Sequence, residues 1–239
     1  MTKYASKFWT KLKDNIVPSG STCRFEQKQN ILSSLAFMAV LSIWSLPGWG
    51  QISRHQADTV SLAKDILYKG VIQDAVRWTD NKGENLVIIT ETGIYPGKTK
   101  ECDRCNNAEL FAYHFSDSIG NTKHTWKVYD YVKNCPVDII AGFIERTLQV
   151  TDLDGDGTGE VWLMYKTGCR GDIGPDIVKI IMYQGSQKYA MRGEETIKTP
   201  NGASFGGSYV FDNAFGNAPE VFRKFAKSMW TKHGIRTYE

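Results

Sequence analysis

Residues 152–160 read Asp152-Leu153-Asp154-Gly155-Asp156-Gly157-Thr158-Gly159-Glu160, three carboxylates at alternate positions, then glycine, then a fourth carboxylate. Carboxylates this close repel one another, and a counter-ion relieves the repulsion. Alternate acidic residues in a tight loop turn their oxygens inward. That is the donor set of Ca²⁺, a hard ion taking roughly 6–8 oxygens at ~2.3–2.6 Å. Gly157 allows the sharp reversal such a loop needs. The competing reading is a solvated acidic turn that holds no ion.

An EF-hand requires a bidentate Glu at loop position 12. Counting from Asp152 puts Leu163 there, inside an apolar run, so that version is set aside. With Glu160 closing the loop and strand-like runs on both sides, the segment instead resembles the calcium-binding hairpin loop of FG-GAP and integrin-type repeats. That resemblance implies side-chain ligands from Asp152, Asp154, Asp156 and Glu160 and a backbone carbonyl from Thr158, with Glu160 standing where the family usually has Asp.

The cysteines are the second chemical feature, and their reading depends on the N-terminal segment. Ile31 to Leu46 is the only long apolar run. It is shorter than the ~20 helical residues a bilayer core demands. Arg24 and Lys28 flank it, and Pro47-Gly48-Trp49-Gly50 follows with small side chains where signal peptidase wants them. A secretory leader over residues 1–50 is therefore expected, with cleavage after Gly50 and a single β-rich domain over 51–239. Such a chain is exported to the periplasm or cell surface and keeps no membrane span after cleavage. Cys23 leaves with the leader. Cys102, Cys105, Cys135 and Cys169 remain, an even set in an oxidising compartment. The close Cys102-x-x-Cys105 spacing favours a local bridge, leaving Cys135 for Cys169. Zinc would want a second close ligand pair, which these cysteines and His114, His124 and His233 do not offer. A redox CxxC belongs at a helix start, whereas Lys100 to Asn107 reads as a polar loop.

Charge excludes one class of partner. The chain carries 29 Lys and Arg against 26 Asp and Glu. Six of those bases and two of the acids lie in residues 1–50, so 23 bases face 24 acids thereafter. A body without basic excess gives no electrostatic case for nucleic acid. The sequence also has no Gly-x-Ser-x-Gly elbow, no His-Glu-x-x-His and no phosphate loop. No catalytic residue is assigned. A secreted glycan-active enzyme working through a carboxylate pair from Asp138, Glu145 and Asp172 is the alternative. Arg170-Gly171-Asp172 spells an adhesion tripeptide of a kind that arises by chance. Trp78, Trp126, Trp162 and Tyr129 can stack on sugar rings, although aromatics in strands are more often packing residues.

The elements that must position these groups are mostly strands. Val71–Thr79 and Leu86–Thr92 flank a turn-rich Asp80 to Asn85, and Glu109–Ser116 pairs with Thr125–Tyr131. Phe143–Thr151 pairs with Val161–Thr167 across the acidic loop, and Val178–Tyr183 with Lys188–Arg192. Eight strands in four hairpins result. A helix starts near Pro219 and stops before Gly234, with Phe222, Phe225, Ala226, Met229 and Trp230 on one face. A shorter helix is expected over Thr59–Lys69. The predicted class is mainly β, with antiparallel hairpins as propeller-like blades or an open meander and a docked C-terminal helix.

A wider resemblance rests on Lys82 to Pro96, Ala108 to Phe115, Cys135-Pro136-Val137-Asp138, Val150 to Lys166 and Lys179 to Gly193. Together these segments are similar to a family of exported Bacteroidota proteins of surface-polysaccharide, or lipopolysaccharide, biosynthesis, over about Asn81 to Trp230. The resemblance implies a cell-envelope role with an envelope polysaccharide or envelope protein as partner. The expectation is an exported, calcium-stabilised β-domain acting there as a non-catalytic binding or assembly factor.

Overall fold

Alternating apolar residues over Val71 to Cys135 build four long strands, and the computed structural model places them in an open meander. It describes residues 52–56, 66–97, 102–118 and 121–238, all within the unit Leu46–Glu239. The expected leader, its cleavage site and most of the expected Thr59–Lys69 helix lie outside these residues. The end of that helix is described, and Ile66–Lys69 is not helical. At its end the sheet has claimed the backbone of Lys69, whose N–H donates to the Tyr113 hydroxyl (3.1 Å) and whose carbonyl accepts from Thr90 Oγ1 (2.6 Å).

The first sheet comprises β1 (Ser53–Gln56), β2 (Val71–Asp80), β3 (Gly83–Pro96), β4 (Asn106–Ser118) and β5 (Asn121–Cys135), antiparallel and adjacent in chain order. The second holds β6 (Asp138–Phe143), β7 (Gln149–Thr151), β8 (Glu160–Arg170), β9 (Ile177–Gln184) and β10 (Gln187–Glu194), followed later in the chain by β13 (Tyr209–Phe211). Its order is β13-β10-β9-β8-β6, with β7 also on β8. A small third sheet sets β11 (Thr196–Lys198) between β12 (Ser204–Gly206) and β14 (Ile235–Thr237), and the β11–β14 pair is parallel. Two helices complete the described residues, α1 (Asn213–Gly216) and α2 (Glu220–His233).

All four expected hairpins are present, but the expected eight strands become fourteen among the described residues. The additions are mostly three-residue strands, too short for any period to show. Two hairpins differ in detail. The β2–β3 turn is only Asn81-Lys82, because Gly83 and Glu84 already pair with Asp80 and Thr79. Phe143–Thr151 is interrupted at Ile144–Leu148, where Arg146 takes φ 62° and Thr147 Oγ1 donates to Ile144 O (2.5 Å).

Side-chain alternation creates three layers. Val87, Ile89, Leu110, Ala112 and Val128 of the first sheet meet Val161, Leu163, Tyr165 and Ile181 of the second in one core. The opposite face of the second sheet presents Trp162, Met164, Ile180 and Met182 to Phe215, Phe222, Ala226, Met229 and Trp230 of the helices. β8 and β9 are thus covered on both sides, which is why they read as nearly unbroken apolar runs. Trp162 is fully buried, donating Nε1 to Thr151 Oγ1 (2.8 Å), so it is a packing residue and not a sugar platform.

Both expected disulfides are present. Cys102–Cys105 closes a local turn before β4, with Cα atoms 5.5 Å apart. Cys135–Cys169 joins the end of β5 to β8, with Cα atoms 5.6 Å apart, and so ties the first sheet to the second. The acidic loop leads into β8 at its other end, beyond ~30 Å of strand rise.

Candidate metal loop and the pocket beside it

The loop between β7 and β8 is shaped by its own backbone amides. Gly157 N donates to Asp152 Oδ2 (3.1 Å) and Thr158 N to Asp156 Oδ1 (2.6 Å). Gly157 sits at φ +77°, a left-handed conformation that other residues adopt with strain. Gly159 is required for a different reason, since a Cβ there would lie 2.6 Å from Trp78 Nε1 and 3.1 Å from Val150.

Asp152, Asp154 and Asp156 converge, with a ligand oxygen from each within 4.8 Å of the others, and the cluster can hold a metal ion. Asp152 Oδ1 is buried and has no hydrogen-bond partner. Buried acceptors are normally satisfied, so this oxygen fits a cation better than it fits a solvated turn. Gln184 Nε2 donates to Asp154 Oδ2 (2.9 Å) and Asp156 Oδ2 (3.2 Å), adding positive dipole from β9.

Glu160 stands outside this cluster. Its fully buried carboxylate accepts from Leu153 N (2.9 Å) and Thr151 Oγ1 (2.6 Å), closing the loop from beneath. Burial pushes its pKa up to about 7, against the lowering effect of those hydrogen bonds, and the charges of Asp154 and Asp152 add to the rise. Thr158 is buried and donates Oγ1 to Asn81 Oδ1 (3.2 Å).

The β2–β3 turn clasps the loop from the facing sheet. Asn81 N donates to Gly157 O (2.9 Å) and Asn81 Nδ2 to Asp156 O (3.0 Å). Asp80 Oδ2 accepts from both Gly159 N (3.0 Å) and Trp78 Nε1 (3.0 Å). The acidic loop and the Cys135–Cys169 bridge therefore fasten the two sheets at opposite ends of β8.

A pocket of about 240 Å³ opens beside this clasp, between the ends of the sheets. Its wall is a cross-strand stack. Trp78 and His114 have ring centroids 5.3 Å apart, His114 and Trp126 4.9 Å, and Trp126 and Tyr183 of the other sheet 4.1 Å. Trp78 and Trp126 are thus buried, whereas Tyr129 on the outer face is 42% exposed and donates to Glu109 Oε1 (2.8 Å). His114 and Tyr183 were not singled out as pocket residues from sequence. The available signal was that His114 shares the inward face of β4 with Leu110 and Ala112.

Burial pushes the His114 pKa down to about 4, with a smaller lowering from His124, against the raising effect of Asp80. A depressed histidine contributes stability that is full above its unfolded value of about 6.5 and is lost as pH falls through about 4. At about 1.4 kcal/mol per unit, up to roughly 3 kcal/mol is at stake. Urea midpoints measured from pH 7 to pH 4 should fall more steeply in the wild type than in His114→Phe. Equal slopes would remove this account.

The remaining sequence candidates lie elsewhere. Asp138 on β6, Glu145 in the β6–β7 link and Asp172 in the β8–β9 loop are all exposed, and Asp172 Oδ1 accepts from Gly174 N (2.8 Å) as a turn cap. Arg170 of the tripeptide is held by Asp176 (2.7 Å) and by Asp172 O (2.8 Å), so its guanidinium is not presented as an adhesion loop would present it. Among the described residues no helix is long and apolar enough to cross a membrane. Comparison of the chain with protein-family models, curated proteins and solved structures finds no match.

Proposed function

We propose that this protein is an exported β-domain whose acidic loop binds calcium, and that it acts at the cell envelope as a non-catalytic binding or assembly factor. The observation that carries the reading is the loop itself: three converging aspartates, one with a buried unpartnered oxygen, in a segment clasped by the facing sheet. A cation there neutralises the aspartates and holds the β7–β8 link against the β2–β3 turn, so its work is structural. Two disulfides suit an oxidising compartment. The link to surface polysaccharide rests on the sequence resemblance.

Calcium at 100 times its Kd should stabilise the fold by about 2.7 kcal/mol if the unfolded chain does not bind it. The melting temperature should rise with calcium and fall back on chelation. Asp154→Ala should abolish the response, and Glu220→Ala, at an exposed position on α2, should preserve it. Calorimetry without binding at millimolar calcium would leave the loop as an acidic turn and sink this reading.

A further inference from the structure

We infer that the pocket between the sheet ends binds a neutral, hydroxyl-bearing ring of about monosaccharide size. This deepens the reading of the domain as a binding module; the residues that carry it, His114 and Trp126, lie outside the calcium loop, while Thr158 and Gly159 of that loop also line the pocket.

Two residues that line the pocket carry unpartnered side-chain nitrogens. His114 and Trp126 are each only 7% exposed, and His114 Nε2 and Trp126 Nε1 are buried without a hydrogen-bond partner. Two such orphans side by side are uncommon, because buried polar atoms are nearly always paired. Their roles follow from the chemistry of each ring. Thr125 Oγ1 lies against both His114 Nδ1 and His114 O (3.3 Å), and its single proton can serve either. His114 Nε2 is accordingly a lone-pair acceptor in one neutral tautomer and an N–H donor in the other. Trp126 Nε1 can only donate.

The two nitrogens sit on rings stacked 4.9 Å apart, Trp126 Nε1 as a donor and His114 Nε2 as donor or acceptor by tautomer, and the hydroxyls of a polyol, which both give and take a proton, can serve either combination. Ser116 and Ser186 add hydroxyls to the lining. Charge selects against ions. The Asp80 carboxylate is saturated by Trp78 Nε1, Gly159 N and Lys82 N, and the Lys82 side chain on the same lining is opposite in sign. The space of about 240 Å³ is below the roughly 300–1,000 Å³ of drug-sized sites, which suits one ring.

The test follows the tryptophan indole N–H signals by NMR while myo-inositol, D-glucose or N-acetyl-D-glucosamine is titrated into the calcium-loaded protein and, separately, into the chelated protein. The expected result is a saturable shift of the Trp126 indole signal with at least one probe, at a Kd on the order of 1 mM. Trp126→Phe removes the donor. Ser186→Trp, at an exposed turn position, fills the mouth without touching the core and should weaken binding at least tenfold. No saturable shift with any probe, or a shift unchanged in Ser186→Trp, overturns the proposal. An indole shift in a protein that fails to bind calcium would keep the pocket and discard the loop, and calcium binding without an indole shift would do the reverse.

Discussion

Replacing Cys135 and Cys169 together by Ala should lower the unfolding free energy by about 4 kcal/mol, because the bridge closes a loop of 34 residues that the unfolded chain would otherwise explore. The same double replacement at Cys102 and Cys105 should cost only about 1 to 2 kcal/mol, since three residues of separation remove little entropy. Guanidinium unfolding of the two variants compares them directly. The long bridge also joins sheets that are otherwise held mainly by side-chain packing, so its loss should loosen the β5–β8 end while the clasped loop end persists. Equal losses in the two variants would show that loop length is not what sets the effect.

Asp176→Ala should be as damaging, at about 3 to 5 kcal/mol, because it removes a buried carboxylate on which two partly buried arginines converge. Asp176 is 2% exposed and Glu195 is fully buried. Asp176 receives Arg170 Nε (2.7 Å) and Arg236 Nη1 (3.3 Å), while Glu195 receives Arg236 Nη2 (2.9 Å) and the Lys166 ammonium. Burial raises the Asp176 pKa, and hydrogen bonds from Arg170 oppose the rise. Replacement also takes one carboxylate from Arg236, which keeps Glu195 and Gly174 O but whose Nε is already buried without a partner. The measurement is a urea titration beside Glu220→Ala, an exposed i,i+4 pair expected to cost only about 0.3 to 0.5 kcal/mol. A loss at Asp176 no larger than that would show the network to be dispensable. Asp176 lies outside the acidic loop, but it is no neutral control for calcium experiments.

Features with a local cause were legible in the sequence. The hairpins announce themselves through turn residues between β-branched runs, α2 through its apolar stripe between Pro219 and Gly234, and the disulfides through an even cysteine set with one close pair. The acidic loop was legible because its carboxylates are neighbours in the chain. Features assembled from distant segments were not. The pocket draws Trp78, His114, Trp126 and Tyr183 from four strands on two sheets, and no local pattern in any one of them marks it. The charged network draws on β8, β14 and the segments before β9 and β11, and β11 pairs with β14 across the whole of α2. Ile66–Lys69 carries helical spacing, but Lys69 places its N–H and carbonyl on side chains of β4 and β3, so tertiary bonds override the local preference there.

The central position of β8 and β9 fixes an order of events for a chain that is made from its N-terminus. Val87, Ile89, Leu110, Ala112 and Val128 belong to strands completed by residue 135, yet their cover comes from Val161, Leu163, Tyr165 and Ile181. The first sheet therefore emerges with its inner face bare, and Cys135 emerges before the sulfur it must bond. Until β8 arrives, that face is a sticky surface and that thiol is open to the wrong cysteine, with Cys102 and Cys105 the ones already at hand.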